Sequence, residues 1–193
     1  MRDPSPQVRA MLEARRVAIV GASPRPGSLA ERLLAELERS EPRPEIHLVN
    51  PRYQEIGGRR CVASLTEIDG ALDLVALAVG DHLLEAQLLL CAERGDRGAV
   101  IFGSVVAEPS GETAALRARI SEIASSHAMA VCGGGCMGFV NQASGLRAIG
   151  YLERHPFPGG SIALVTHSGS AFSAILRADR RLGFLLAVSS GQE

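Results

Sequence analysis

The chain has 193 residues, 46% of them hydrophobic but only 4% aromatic and none Trp, so its core has to come from Leu, Val, Ile and Ala, a composition that suits helices packed on a buried parallel sheet. Its formal net charge is −1, and all 20 basic residues are Arg, which excludes a Schiff-base lysine and a P-loop lysine. Those arginines are scattered among 21 acidic residues without a basic stripe or an aromatic stacking platform, which excludes nucleic acid as a partner.

From the N-terminus, residues 1–16 carry no apolar signal core, and no run of about 18 apolar residues follows, so neither a signal peptide nor a membrane partner is expected and the cytoplasm is the expected compartment. Val17-Ala18-Ile19-Val20 is a short continuous apolar run that reads as a strand, ending at Gly21 in a loop rich in Pro, Gly and Ser. Leu29, Leu33, Leu34 and Leu37 then recur at helical spacing. Ile46-His47-Leu48-Val49 is a second strand closed by Asn50-Pro51, and Leu74 to Val79 is the third and most apolar. Leu84, Leu88 and Cys91 mark a helix, Gly98 to Phe102 a fourth strand, Glu112 to Ser126 a helix with Leu116, Ile120 and Ile123 inward, and Met129 to Cys132 a fifth strand. This alternation predicts an α/β fold, a Rossmann-like parallel sheet with right-handed crossovers that binds ligand beyond the carboxyl ends of its strands. Five loops lie there: Gly21–Ser28, Asn50–Tyr53, Gly80–His82, Gly103–Glu108 and Gly133–Asn141.

Pro156-Phe157-Pro158-Gly159-Gly160 breaks the pattern, which then restarts with a strand at Ser161 to Val165, a turn at His167-Ser168-Gly169-Ser170, a helix marked by Phe172, Ile175 and Leu176 that Gly183 can end, and a strand at Leu185 to Val188. Two strands and a helix cannot build an independent core, so they either pack on the preceding part or belong to a longer protein. The expected division is residues 1–157 as one domain and 158–193 as the opening part of a second.

Gly21-Ala22-Ser23-Pro24-Arg25-Pro26-Gly27-Ser28 sits where a first-strand phosphate loop belongs: Gly21 permits a tight turn, Gly27 a close backbone approach, Ser28 an N-cap, and Arg25 adds a cation. The plain alternative is an ordinary strand-to-helix turn. G-x-G-x-x-G is absent, and the second strand ends in Asn50-Pro51-Arg52 instead of the acidic residue that holds a ribose hydroxyl. Arg52 suits a ribose phosphate, as in CoA or NADP, and reads equally as a solvated loop residue. Gly133-Gly134-Gly135-Cys136-Met137-Gly138 lets backbone N–H groups converge on a ligand, or is simply a turn beside an inert thiol. A nucleophilic Cys136 would need a base, and His167 is its one candidate. Ser168-Gly169-Ser170 opens a helix and is either an anion site or plain capping. Cys61, Cys91, Cys132 and Cys136 lack metal-ligand spacing, so no metal is expected.

Taken in order, Val17 to Ser23, Val49-Asn50-Pro51-Arg52-Tyr53, Gly57, Asp73-Leu74-Val75, Gly98 to Ile101, Gly133 to Gly138 and Ser168-Gly169 resemble the N-terminal portion of NDP-forming acyl-CoA synthetases, relatives of the succinyl-CoA synthetase α subunit. The resemblance covers about residues 13 to 193. It implies a CoA-binding Rossmann-like domain followed by the start of a flavodoxin-like ligase domain. It further implies that Gly21, Ala22, Ser23, Arg25, Gly27 and Ser28 hold phosphates, that Asn50, Pro51 and Arg52 lie beside the nucleotide end, and that Val79 and Gly80 flank the adenine. Phe102 and Gly103 join this cofactor-binding set, Gly135 and Cys136 lie near the pantetheine thiol, and Ser168, Gly169 and Ser170 form a phosphate-site helix end. The family's phosphohistidine lies beyond residue 193, so no catalytic residue is transferred, and this chain alone is expected to be inactive. The complete enzyme is expected to use CoA as substrate together with ATP or ADP and Mg, and to need an ATP-grasp domain or subunit, fused or separate; a homo-oligomer is left open. The sequence departs from the family at Gly134-Gly135, usually Pro-Asn, at Gly80-Asp81, where a proline is usual, and at His167. Two further readings stand beside this one: a stand-alone CoA-binding or CoA-sensing module, and an NADP-dependent oxidoreductase.

Overall fold

The computed structural model describes residues 6–103, 111–153, 157–178 and 182–191. Its larger sheet holds β1 (Arg16–Val20), β2 (Glu45–Val49), β3 (Glu55–Ile56), β4 (Arg59–Val62), β5 (Leu74–Leu77), β6 (Gly98–Ile101) and β7 (Ala130–Cys132) in the order β3-β4-β2-β1-β5-β6-β7. Every pairing is parallel except β3 with β4. The apolar runs seen in the sequence are strands covered on both faces: all four residues of β5 and of β6 are buried. Successive side chains point to opposite faces. Val17 and Ile19 pack with Met11 of α1 (Pro6–Leu12) and with Leu33 and Leu37 of α2 (Leu29–Glu38). Ala18 and Val20 pack with Leu84 and Leu88 of α3 (Asp81–Glu93) and Ile120 of α4 (Gly111–Ser126). Leu84, Leu88 and Cys91, picked out by spacing, have no exposed surface.

The chain runs outward from β1 to β2 and β4, then returns to place β5 on the other side of β1. The loops leaving β1 and β5 therefore diverge, which opens a crevice at the carboxyl end of the sheet.

A second sheet holds β8 (Gly138–Asn141), β9 (Leu146–Ile149), β10 (Gly159–Thr166) and β11 (Phe184–Ser189) in the order β10-β11-β8-β9, with only β10 and β11 parallel. Phe172 and Leu176 of α5 (Gly169–Ala178) pack with Val140, Ile149, Phe184 and Ala187. The two late strands and their helix thus gain a core by sharing a sheet with β8 and β9, which precede the Pro156 break. The sequence reading took Gly133 to Asn141 as one loop, whereas Gly138–Asn141 is a strand. All four of its residues are buried, so it shows no alternation, and its glycine is required by packing: a Cβ on Gly138 would lie 2.0 Å from the Ala148 carbonyl oxygen. The β3–β4 hairpin was also missed, although Gly57-Gly58 between Ile56 and Arg59 is the signal for a two-residue turn. Residues 104–108 of the loop expected after the fourth strand, and Pro156, lie outside the described residues.

Candidate functional site

At the carboxyl ends of β1 and β2 lies a cavity of about 400 Å³. Gly21, Ser23, Asn50, Pro51, Arg52 and Val79, all singled out from the sequence, line it. Tyr53, the end of the expected Asn50–Tyr53 loop, adds an exposed apolar surface, and other walls were not anticipated: Leu83, also exposed and apolar, and Ser64 and Gln87, which bring polar ends. The only signal for Leu83 and Gln87 was position, one turn apart in α3.

Two features hold the cavity open. Gly21 turns with φ +88°, and its N–H and that of Ala22 both reach the Val49 carbonyl at 2.9 and 3.2 Å. The Asn50 side chain then bridges the loops, its amide donating to Ala22 O (2.7 Å) while its Oδ1 accepts from Arg52 N (3.0 Å). Asn50 is therefore a brace between the first and second loops as well as part of the wall.

Ser28 is the N-cap of α2, its Oγ accepting from Glu31 N at 3.2 Å. The Gly27 N–H is occupied: it donates to Glu31 Oε2 at 2.5 Å. An anion seated on that N–H has to displace a carboxylate. Arg25 is exposed at the loop tip, where its own N–H donates to Ser23 Oγ (3.2 Å). Arg32 emerges as a positioning residue the sequence reading overlooked, because its Nη1 donates to Gly27 O (2.8 Å) and its Nε to Gly150 O (3.1 Å), tying the loop to the segment after β9.

The remaining predicted positions form a second group one and two strands along. Gly80 caps the start of α3. A Cβ on Gly103 would stand 3.1 Å from Val79 O, and Gly135 N donates to Gly103 O at 2.7 Å, so the ends of β5, β6 and β7 touch through glycines. Phe102 is buried under this corner. Cys136 is buried too, with its Sγ 3.3 Å from Ile101 O and 3.8 Å from Cys132 O. The His167 ring nitrogen Nδ1 meets Gly191 O (3.1 Å) and Ser190 Oγ (3.2 Å), so the histidine considered as a base for Cys136 has other partners. Ser168 caps α5 through Ala171 N (3.2 Å), and a Cβ on Gly169 would lie 2.6 Å from Met137 Cγ, which sets the start of that helix against the glycine loop.

A larger hollow of about 500 Å³ lies at the opposite, amino-terminal side of β1 and β2, walled by Arg16, Glu45, His47 and Arg60. It is the poorer candidate: Arg16 is spent on Glu45 and on the carbonyls of Asp69 and Ala71, and open parallel sheets bind ligands at the other end. Among the described residues no group of three or more His, Cys, Asp or Glu side chains is arranged to hold a metal ion, and no helix is long and apolar enough to cross a membrane.

Known proteins resemble most of this chain. The family model described as a CoA binding domain matches residues 15–142, more than half of the chain. The ADP-forming acetate–CoA ligase of Methanocaldococcus jannaschii is 30% identical over 179 residues, covering 92% of this chain and 25% of the ligase. The alpha subunit of ADP-forming acetate–CoA ligase II from Pyrococcus furiosus is 27% identical, with 84% of this chain and 35% of that subunit covered. A dinucleotide-forming acetyl-coenzyme A synthetase 1 from Ca. Korarchaeum cryptofilum, solved with phosphate and ADP, has the same fold: TM-score 0.82 at 22% identity, over 92% of this chain and 38% of that one. The chain thus spans about a quarter to a third of the length of these curated relatives.

Proposed function

Because this chain belongs to the CoA-binding domain family, we propose that it holds CoA in the cavity at the carboxyl ends of β1 and β2, as the CoA-binding portion of an NDP-forming acyl-CoA synthetase. The observation that carries this reading is the cavity itself, whose lining brings the exposed Arg52 together with Gly21, Ser23 and Asn50. In the proposed pose the 3′-phosphate lies at Arg52, the adenine lies against Val79, Leu83 and Tyr53, and the pyrophosphate faces Ser23 to Ser28. The pantetheine runs along Gly103 and Gly135 toward Cys136. Backbone N–H groups and an arginine fork suit an anionic ligand there. In the whole enzyme, acyl-CoA, NDP and phosphate are exchanged for acid, CoA and NTP. That reaction needs ATP or ADP with Mg and an ATP-grasp domain or subunit, so this polypeptide alone binds CoA without turnover. Four free cysteines fit the reducing cytoplasm.

Calorimetric titration of the chain with CoA, dephospho-CoA and NADPH tests the assignment. CoA binds, dephospho-CoA binds about tenfold more weakly, and Arg52→Ala weakens CoA by the same factor, ~1.4 kcal/mol, while abolishing the discrimination between the two. Selective NADPH binding overturns the reading in favour of an oxidoreductase.

Glu31 supplies a test of opposite sign. Its carboxylate lies on the Gly27 N–H, where it competes with a phosphate and repels it. Glu31→Gln keeps the side-chain shape, removes the charge and is expected to tighten CoA by about threefold to tenfold at low salt, with the gain shrinking as salt is added. An unchanged or weaker affinity places the pyrophosphate away from this loop.

A further inference from the structure

The four thiols of this chain are all free and buried, yet their settings differ. Cys61 is on β4, paired with Leu48 of β2, with its thiol against Asn50 O and Val62 O. Cys91 lies in the core beneath α3, without exposed surface. Burial raises both thiols above their ordinary range, Cys91 to about 12, which keeps them protonated and inert. Cys132 and Cys136 instead form a pair. Cys132 ends β7 with its Sγ 3.6 Å from Ser189 O. The chain turns back through Gly133 and Gly135, with φ +100° and +67°, and brings the Cys136 Sγ to 3.8 Å from Cys132 O. The turn is so tight that a Cβ on Gly133 would stand 2.8 Å from that sulfur. The neighbouring Cys132 side chain outweighs burial and holds the Cys136 thiol below its ordinary range. The exposed Gly135 carries the turn to the surface.

We infer that Cys132 and Cys136 form a dithiol modification site, which a peroxide converts to an intrachain disulfide and a reduced thiol converts back. The Cys136 thiolate attacks one oxygen of the peroxide, breaking the O–O bond and giving a sulfenic acid with release of water or alcohol. The Cys132 sulfur then displaces hydroxide from it, forming the S–S bond and a second water. Two thiols lose two electrons and two protons, and the peroxide takes up both. Oxidation removes the S–H donors from Ile101 O and Ser189 O and ties the end of β7 covalently across the glycine loop.

The positions of the arginines provide the test. Cleavage after Arg60, Arg94, Arg119 and Arg147 places Cys61 and Cys91 together on residues 61–94, and Cys132 and Cys136 together on residues 120–147. The native chain is treated with hydrogen peroxide, quenched, alkylated in denaturant and mapped by mass spectrometry. The expected result is a 120–147 peptide that is alkylated at neither cysteine until dithiothreitol is added and at both thereafter, beside a 61–94 peptide alkylated at both from the start. In Cys132→Ser the same treatment leaves Cys136 as a sulfenic acid trapped by dimedone. The inference is overturned if residues 120–147 keep two alkylatable thiols, if Cys136 passes to sulfinic acid with Cys132 still free, or if residues 61–94 oxidise as fast.

Discussion

Glu36→Ala is expected to cost about 3–5 kcal/mol of stability, a large share of the roughly 5–15 kcal/mol that holds a domain folded. Glu36 sits on α2 without exposed surface, and four donors converge on it. Arg147 reaches Oε2 through Nε (2.8 Å) and Nη2 (2.5 Å), while Oε1 accepts from Arg39 Nη1 (2.6 Å) and the Glu153 backbone N–H (2.9 Å). Arg147 is on β9 and also lies over the Phe157 ring, 4.9 Å from its centroid, and the Glu153 carboxylate carries the connection to Arg177 of α5 at 3.0 Å. One buried carboxylate therefore joins the helix that follows the Gly21–Ser28 loop to the second sheet and its helix. Removing it strands a guanidinium whose side chain is only 12% exposed, and that uncompensated charge is the source of the cost. Urea unfolding should show the midpoint falling at constant m. A drop in m as well would show the second sheet coming away before the first. Glu36→Gln keeps one acceptor oxygen but turns an NH2 donor toward the other pair of N–H groups, so it is expected to fall between, and a double replacement of Glu36 and Arg147 by Met should recover much of the loss. A Glu36→Ala variant within about 1 kcal/mol of the parent would mean that water reaches the network and the arginines are solvated.

None of this network was visible in the sequence, and the reason is physical. The larger sheet was legible because its central strands are continuous apolar runs, such as Leu74 to Leu77, and its helices repeat leucines at 3.6-residue spacing. The carboxyl-end loops were legible because Gly21, Asn50 and Gly135 punctuate the ends of those runs. A period cannot report long-range polar pairing, however. Glu36 looks like a solvated helix residue until β9 is folded onto α2, and Arg32 looks like its exposed neighbour until its guanidinium is seen on Gly27 O. Strand β8 was hidden for a related reason, since a four-residue strand opening with a glycine resembles a loop when its partner β11 lies more than forty residues away, and β9 pairs with β8. The Cys132–Cys136 contact depended on the positive φ values of the intervening glycines, which spacing alone does not fix.

Gly21→Ala is expected to cost about 3 kcal/mol or more, and to lower CoA affinity by more than tenfold, whereas Gly27→Ala in the same loop should cost about 1 kcal/mol. The comparison separates two reasons for a glycine. Both residues have positive φ, +88° and +72°. A Cβ on Gly27 meets nothing within 4 Å, so only the backbone conformation is penalised. A Cβ on Gly21 stands 2.4 Å from Ala78 O and 2.9 Å from Ala78 C, and this neighbour is backbone fixed by the bond from Ala78 N to Val20 O at 2.8 Å. Neither side can yield without parting β1 from β5, which is where the cavity opens. Relief has to come from shifting the loop, and that shift would break the bonds from Gly21 N and Ala22 N to Val49 O that set the cavity floor. Thermal unfolding and CoA titration of both variants decide the matter. If the two alanines cost the same, backbone conformation alone explains Gly21. If Gly21→Ala is destabilised but binds CoA normally once folded, the crevice between β1 and β5 is not where the ligand sits, and the proposed pose fails with it.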